Sequence, residues 1–146
     1  MALKKELFIN ALQMVEFDES QNIPTAVLFD SMGAHIGHQA LERAADATEL
    51  NENFKLNLGE TARERLEPPR FDTGDGKQRS AHEITKTFFE GVLKNLKPWI
   101  SSRGLQSADR ILVAEPLALD RGNEDGAEWL KNYRAKVKAI LKPHFE

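Results

Sequence analysis

The feature that most constrains the fold is an amphipathic segment that begins with the order Ser80-Ala-His-Glu83. This order is a capping box, in which the Ser80 hydroxyl accepts from the Glu83 amide and the Glu83 carboxylate accepts from the Ser80 amide. Apolar residues then follow at helical spacing: Ile84, Phe88, Phe89, Val92, Leu93 and Leu96. Pro98 disfavours helical backbone before it, so we expect the helix to end there. The apolar stripe must be buried against a second layer of structure.

Other segments supply that layer. A second amphipathic helix is predicted from Glu128 to Leu141, with Trp129 and Tyr133 on its inner stripe. Thr25 to Phe29 follows Pro24 and is nearly all apolar, which predicts a strand buried on both faces.

Shorter or weaker signals complete the order of elements. Ser31-Met32-Gly33 favours a hairpin turn with His35-Ile36 as the return strand, and Gln39 to Ala47 favours a short helix. Leu7 to Phe17 favours one or two strands, and Arg110 to Pro116 contains the run Ile-Leu-Val-Ala of a buried central strand.

This order predicts an α/β fold, with a small mixed sheet packed by two long amphipathic helices. The 146 residues fit a single domain, 1–146. Residues 60–79 are the least hydrophobic stretch and carry Pro-Pro, Thr-Gly and Asp-Gly pairs, so we expect a flexible loop with at most a small hairpin.

Composition limits the function classes. The formal net charge of −3 gives no general attraction to nucleic acid or to anionic lipid. No apolar run approaches the 18 residues of a membrane span, and the N-terminal residues lack the cleavage site of a signal peptide. The absence of cysteine excludes thiolate metal sites and agrees with a reducing compartment. We therefore expect a cytoplasmic protein that binds neither nucleic acid nor membrane.

Few residues are candidates for chemistry. Lys55 lies among Phe54, Leu56 and Leu58, a pattern typical of an apolar strand or its edge, where the lysine reaches water along the strand. The same ammonium group could also bind a phosphate. His35 and His38 lack the further ligands of a zinc site, so no metal is expected.

The motifs taken in order resemble the ATPase domain of the seventy-kilodalton heat-shock chaperones, the DnaK type, within the actin-like ATPase superfamily. The resemblance rests on six motifs: Pro24-Thr25-Ala26-Val27-Leu28-Phe29, Ile36-Gly37-His38-Gln39-Ala40, Lys55 with Gly59, Glu83-Ile84, Ile111 to Pro116, and Trp129 to Leu141. They cover most of the chain and match the outer lobe called subdomain IB, in the form of a divergent bacterial member.

The resemblance implies a role for one residue. In the family the lysine at the position of Lys55 reaches the nucleotide phosphates and assists hydrolysis, so Lys55 is the implied catalytic and nucleotide-binding residue. The family's first phosphate loop should precede residue 23, yet residues 1–22 contain no glycine, and its second loop would follow residue 146. Leu56 also replaces an arginine that is common in the family.

The expected function is therefore one wall of an ATP cleft in a longer protein, not catalytically complete alone. ATP and Mg²⁺ belong to a complete family member, and no cofactor is expected for this chain by itself. One alternative is a stand-alone protein-interaction or regulatory module that uses residues 60–79 or a basic stripe on the last helix, with a protein partner or self-association. A third class is a hydrolase built around His35, His38 and Asp72.

Overall fold

The computed structural model describes residues 23–46, 50–60, 70–102, 104, 113 and 123–144. The elements in chain order are β1 (Val27–Asp30), β2 (Gly33–Ile36), α1 (Gly37–Arg43), α2 (Phe54–Leu58), β3 (Arg70–Asp72), β4 (Gln78–Ser80), α3 (Ala81–Ser102), α4 (Asn123–Leu141) and a 3-10 turn (Lys142–His144). The predicted α/β class is confirmed. In place of one mixed sheet, the described residues form two separate antiparallel hairpins.

The first hairpin has a two-residue loop. Asp30 pairs with Gly33, and Ser31 and Met32 form the turn between them. Gly33 has a φ of 122°, a conformation that glycine adopts without steric cost. On its other side β1 makes an isolated bridge, in which the Val27 and Asn51 amides each donate to the other residue's carbonyl at 3.0 Å.

Strand β1 is buried on both faces, as its unbroken apolar sequence predicts. Val27 and Phe29 pack on one side with α3, whereas Leu28 and the preceding Ala26 pack on the other side with Ala40 of α1. None of the four residues from Ala26 to Phe29 is more than 6% exposed. The strand is therefore a central layer between two helices.

The second hairpin, β3–β4, fills residues 70–80 and leads directly into α3. Gly74 and Gly76 take φ values of 71° and 78°, so the Asp-Thr-Gly-Asp-Gly sequence supplies the left-handed residues that this loop requires. Residues 61–69 of the predicted loop lie outside the described residues.

The prediction that Pro98 ends the long helix is wrong, because α3 continues to Ser102 with Pro98 inside it. A proline removes one backbone donor and leaves those of the following residues intact, so the helix can continue beyond it. Helix α4 begins at Asn123, before the predicted Glu128. The helix includes Gly126, because a glycine inside a helix lowers its stability by only about 1 kcal/mol relative to alanine. Helix α1 ends at Arg43, before the predicted Ala47.

Two larger clusters of buried side chains form the core. The first joins β1, α2 and α3: Val27, Phe29, Phe54, Ala81, Ile84 and Phe88. The second joins α2, α3 and α4: Leu58, Leu93, Trp129, Tyr133, Val137 and Leu141. Helix α2 contributes to both clusters, so it connects the hairpin side of the molecule with the α4 side.

Two predicted strand regions cannot be compared with the structure. Residues 7–17 lie outside the described residues, and so does the run 110–116 apart from Val113. Val113 is half-buried against the second cluster.

Candidate functional site

Lys55 lies on a helix and not on a strand. It is the second residue of α2, a five-residue helix from Phe54 to Leu58. Phe54 and Leu58 are each 1% exposed, whereas Leu56 is 48% exposed. The buried residues are thus four positions apart, which is the spacing of one helical face, and the prediction of a strand for this segment is wrong.

The Lys55 side chain is half-buried. Burial lowers the pKa of its ammonium group, because desolvation disfavours the charged form. Among the described residues no carboxylate offsets this effect at Lys55. An ammonium that is partly desolvated and has no anionic partner in the described part of the chain is suited to contact an anion from outside that part.

Trp129 of α4 connects that helix to the segment that follows Lys55. Its indole Nε1 donates to the Leu56 carbonyl oxygen at 3.2 Å, across 73 residues of sequence. Trp129 is 1% exposed, and its ring stacks on Tyr133 with centroids 5.1 Å apart and planes at 13°. Sequence patterns place Trp129 on the inner face of its helix, but they do not predict this hydrogen bond.

Gly59 is required at the end of α2 because the indole lies directly against it. A Cβ atom at this position would stand 2.3 Å from the Cδ2 and Cε2 atoms of Trp129. The Gly59 backbone is right-handed helical, with φ −86°, so the need for glycine is steric and not conformational. The spacing of Lys55 and Gly59 therefore has a structural explanation that the sequence alone does not give.

A further contact connects the two helices. Lys136 Nζ of α4 donates to the Glu60 carbonyl oxygen at 3.4 Å, and Asn57 Nδ2 donates to Glu60 Oε1 at 3.0 Å. The chain leaving α2 is thus held from both sides, which restricts where Lys55 can lie.

Two residues of the hydrolase hypothesis, His35 and Asp72, contact different partners. His35 Nε2 lies 3.0 Å from Asp30 Oδ1, whereas Asp72 Oδ1 accepts from Gln78 Nε2 at 3.1 Å. His38 is exposed on α1. In the part of the chain that the structure describes, no group of three or more His, Asp or Glu residues is placed to hold a metal ion.

An ion pair locks the β3–β4 hairpin. The Arg79 guanidinium donates to both Asp75 carboxylate oxygens at 2.9 Å, and it also donates to the Thr73 hydroxyl. The paired guanidinium holds the pKa of Asp75 well below its usual range. Arg79 also lies over the Phe29 ring, 3.8 Å from its centroid, so the hairpin is fixed onto β1.

The turn residues of this hairpin are well supplied with partners. The Thr73 Oγ1 atom lies 2.9 Å from Asp75 Oδ1 and 3.0 Å from the Lys77 carbonyl oxygen, the two acceptors that its single proton can serve, and Thr73 is fully buried. The network satisfies its own polar groups internally, so we assign it to structure and not to ligand binding.

Each helix in the described part of the chain is too short or too polar to span a lipid bilayer. No family model, curated protein or solved structure matches this chain.

Proposed function

We propose that this chain forms one lobe of a DnaK-like nucleotide-binding domain, in the actin-like ATPase superfamily, and that Lys55 contacts a nucleotide phosphate. The observation that carries the proposal is the half-buried Lys55 ammonium, which lacks a carboxylate partner among the described residues. A phosphate oxygen would compensate for its desolvation by a charge-assisted hydrogen bond.

The order of elements supports the same proposal. The hairpin before Gly37, the short helix that begins at Gly37 and the capped long helix after Ser80 follow one another in the order that the motif series predicts, although Lys55 lies on a helix and not on a strand. The two hairpins and the helices establish a mixed α/β structure, and the assignment to the actin-like fold is part of the proposal.

One lysine does not hold a nucleotide by itself. A charge-assisted hydrogen bond contributes about 1.5–3 kcal/mol. A Kd of about 1 mM already requires about 4 kcal/mol, so Lys55 alone gives weaker binding. Tight binding needs a cradle of backbone N–H groups and, for Mg²⁺, oxygen ligands, which a complete family member would supply. The lobe is therefore one wall of the cleft and is not catalytically complete alone.

The test is a titration of the 146-residue chain with Mg-ATP, followed by amide NMR. We expect shift changes centred on Lys55 and Gly59 that do not saturate below about 1 mM. Lys55→Ala should remove them. Lys131→Ala, which removes a charge from the exposed face of α4, should leave them unchanged.

Three outcomes would contradict the proposal. Micromolar binding by this chain would mean that the lobe alone contains a complete nucleotide-binding site. Shift changes confined to the basic face of α4 would favour an interaction module that uses that face. If the Lys55 amide resonance does not change at any Mg-ATP concentration, the proposed contact between Lys55 and a phosphate is ruled out.

A further inference from the structure

Helix α2 is too short to hold Lys55 in place by itself. Five residues form little more than one turn, and isolated helices below about 12 residues are marginal in water. The Asn53 side chain makes no capping hydrogen bond to it. The position of Lys55 must therefore come from contacts outside the helix.

Trp129 supplies two of these contacts with one side chain. Its N–H donates to the Leu56 carbonyl, directly after Lys55, and its ring face covers Gly59. A hydrogen bond at Leu56 and a ring contact at Gly59, three residues further on, together restrain both the axial position and the rotation of α2. Phe54 and Leu58 bury the helix, but apolar burial is not directional and does not fix rotation to the same degree.

Helix α4 in turn immobilises Trp129. The indole is stacked on Tyr133, which is 2% exposed, and both belong to the second core cluster. Any shift of α4 along its axis would carry the indole with it and would displace the Leu56 carbonyl.

We propose that Trp129 is the positioning residue for Lys55, so that α4 sets where the lysine meets a phosphate group. This inference rests on the proposed function for the role of Lys55, while its geometric part concerns only α2 and α4. Movement of α4 relative to the hairpins would then raise or lower the lysine at the wall of the cleft.

The test compares two variants of the 146-residue chain. Trp129→Phe keeps an aromatic ring and removes the N–H donor. Val137→Ala removes volume from the same core cluster on the same helix, without a hydrogen bond to α2. The lysines are labelled by reductive methylation with ¹³C, and Lys55→Arg identifies the Lys55 resonance.

We expect Trp129→Phe to shift the Lys55 methyl resonance and Val137→Ala to leave it in place. The slope of that resonance against inorganic tripolyphosphate concentration should fall by up to about fivefold in Trp129→Phe, because the loss of one neutral hydrogen bond lowers the population of the correctly placed lysine by at most that factor. In Val137→Ala the slope should stay within the error of the wild type.

Gly59→Ala tests the same contact from the other side and retains the Trp129 side chain with its N–H donor. Its Cβ would overlap the indole and the Trp129 carbonyl oxygen, so the Lys55 resonance should move away from its wild-type position in this variant as well. If Trp129→Phe does not fold, Gly59→Ala still tests whether Trp129 positions Lys55.

Two failures are distinguishable. If a folded Trp129→Phe or Gly59→Ala variant leaves the Lys55 resonance and slope unchanged, the positioning role is wrong. If wild-type Lys55 never responds to tripolyphosphate but its resonance moves in both variants, the phosphate contact is wrong and the placement of Lys55 by Trp129 stands.

Discussion

At the scale of single residues, Asp30 joins the first hairpin to α1. Its carboxylate lies 3.0 Å from His35 Nε2 and accepts from Arg43 Nη2 at 3.0 Å and from the Met32 amide at 2.8 Å. The hydrogen bond from His35, followed by those from Arg43 and Met32, lowers the pKa of Asp30 to about 2, and burial opposes the shift. The ionised carboxylate thus stabilises the fold more than the protonated form does.

The pKa of Asp30 predicts how its contribution depends on pH. Because the folded pKa lies below the ordinary 3.8, the stabilisation is complete above pH 3.8 and is lost as pH falls through about 2. Urea unfolding of wild type and Asp30→Asn should therefore differ most above pH 3.8 and converge toward pH 2. Asp72→Asn, at an exposed position, is the matched control. A difference for Asp30→Asn that widens on acidification would contradict this prediction.

At the scale of elements, short sequence motifs predict how a helix begins, but they do not always distinguish a short helix from a strand. The capping box at Ser80 is predicted correctly because it involves only four consecutive residues: the Ser80 amide donates to Glu83 Oε2 at 2.7 Å, and the Glu83 amide donates to Ser80 Oγ at 3.2 Å. The sequence predicts a strand for α2 because Phe54, Leu56 and Leu58 fit an alternating pattern, whereas Phe54 and Leu58, four positions apart, also fit one face of a helix. Only the exposure of Leu56 distinguishes them.

The capping box gives a prediction for α3. Ser80→Ala removes the acceptor for the Glu83 amide, and we expect it to lower the free energy of unfolding by about 1 kcal/mol. Thr87→Ala is the control, since the exposed Thr87 hydroxyl only donates back to the Glu83 carbonyl and alanine is the better helix former. Urea denaturation followed by circular dichroism measures both. Equal losses in the two variants would show that the cap contributes nothing specific.

At the scale of the whole molecule, α2 connects the two larger core clusters. Phe54 packs in the cluster with β1 and lies 6.1 Å, centroid to centroid, from Phe88, whereas Leu58 packs with Trp129 on the other side. Sequence periodicity identified most of these side chains as buried. It could not show that Gly59 and Trp129 meet across 70 positions, because such contacts depend on how the helices are arranged and not on local spacing.

This connection predicts cooperative unfolding. Phe54→Ala should cost about 3–5 kcal/mol, since a fully buried phenylalanine is removed. Although Phe54 does not belong to the Trp129 cluster, tryptophan fluorescence and circular dichroism should report one shared, lowered midpoint. Met32→Ala, at a residue 77% exposed, should change stability by less than about 0.5 kcal/mol. Separate midpoints for the two signals would show that the clusters unfold independently.

The stacking of Tyr133 on Trp129 has an optical consequence. The chain contains a single tyrosine, and its ring lies 5.1 Å from an indole that absorbs where tyrosine emits. Excitation energy therefore passes from the phenol to the indole in the folded protein, and tyrosine emission is quenched. Light absorbed by Tyr133 therefore emerges as tryptophan emission, so excitation of the single tyrosine of the folded protein reports on the surroundings of an indole.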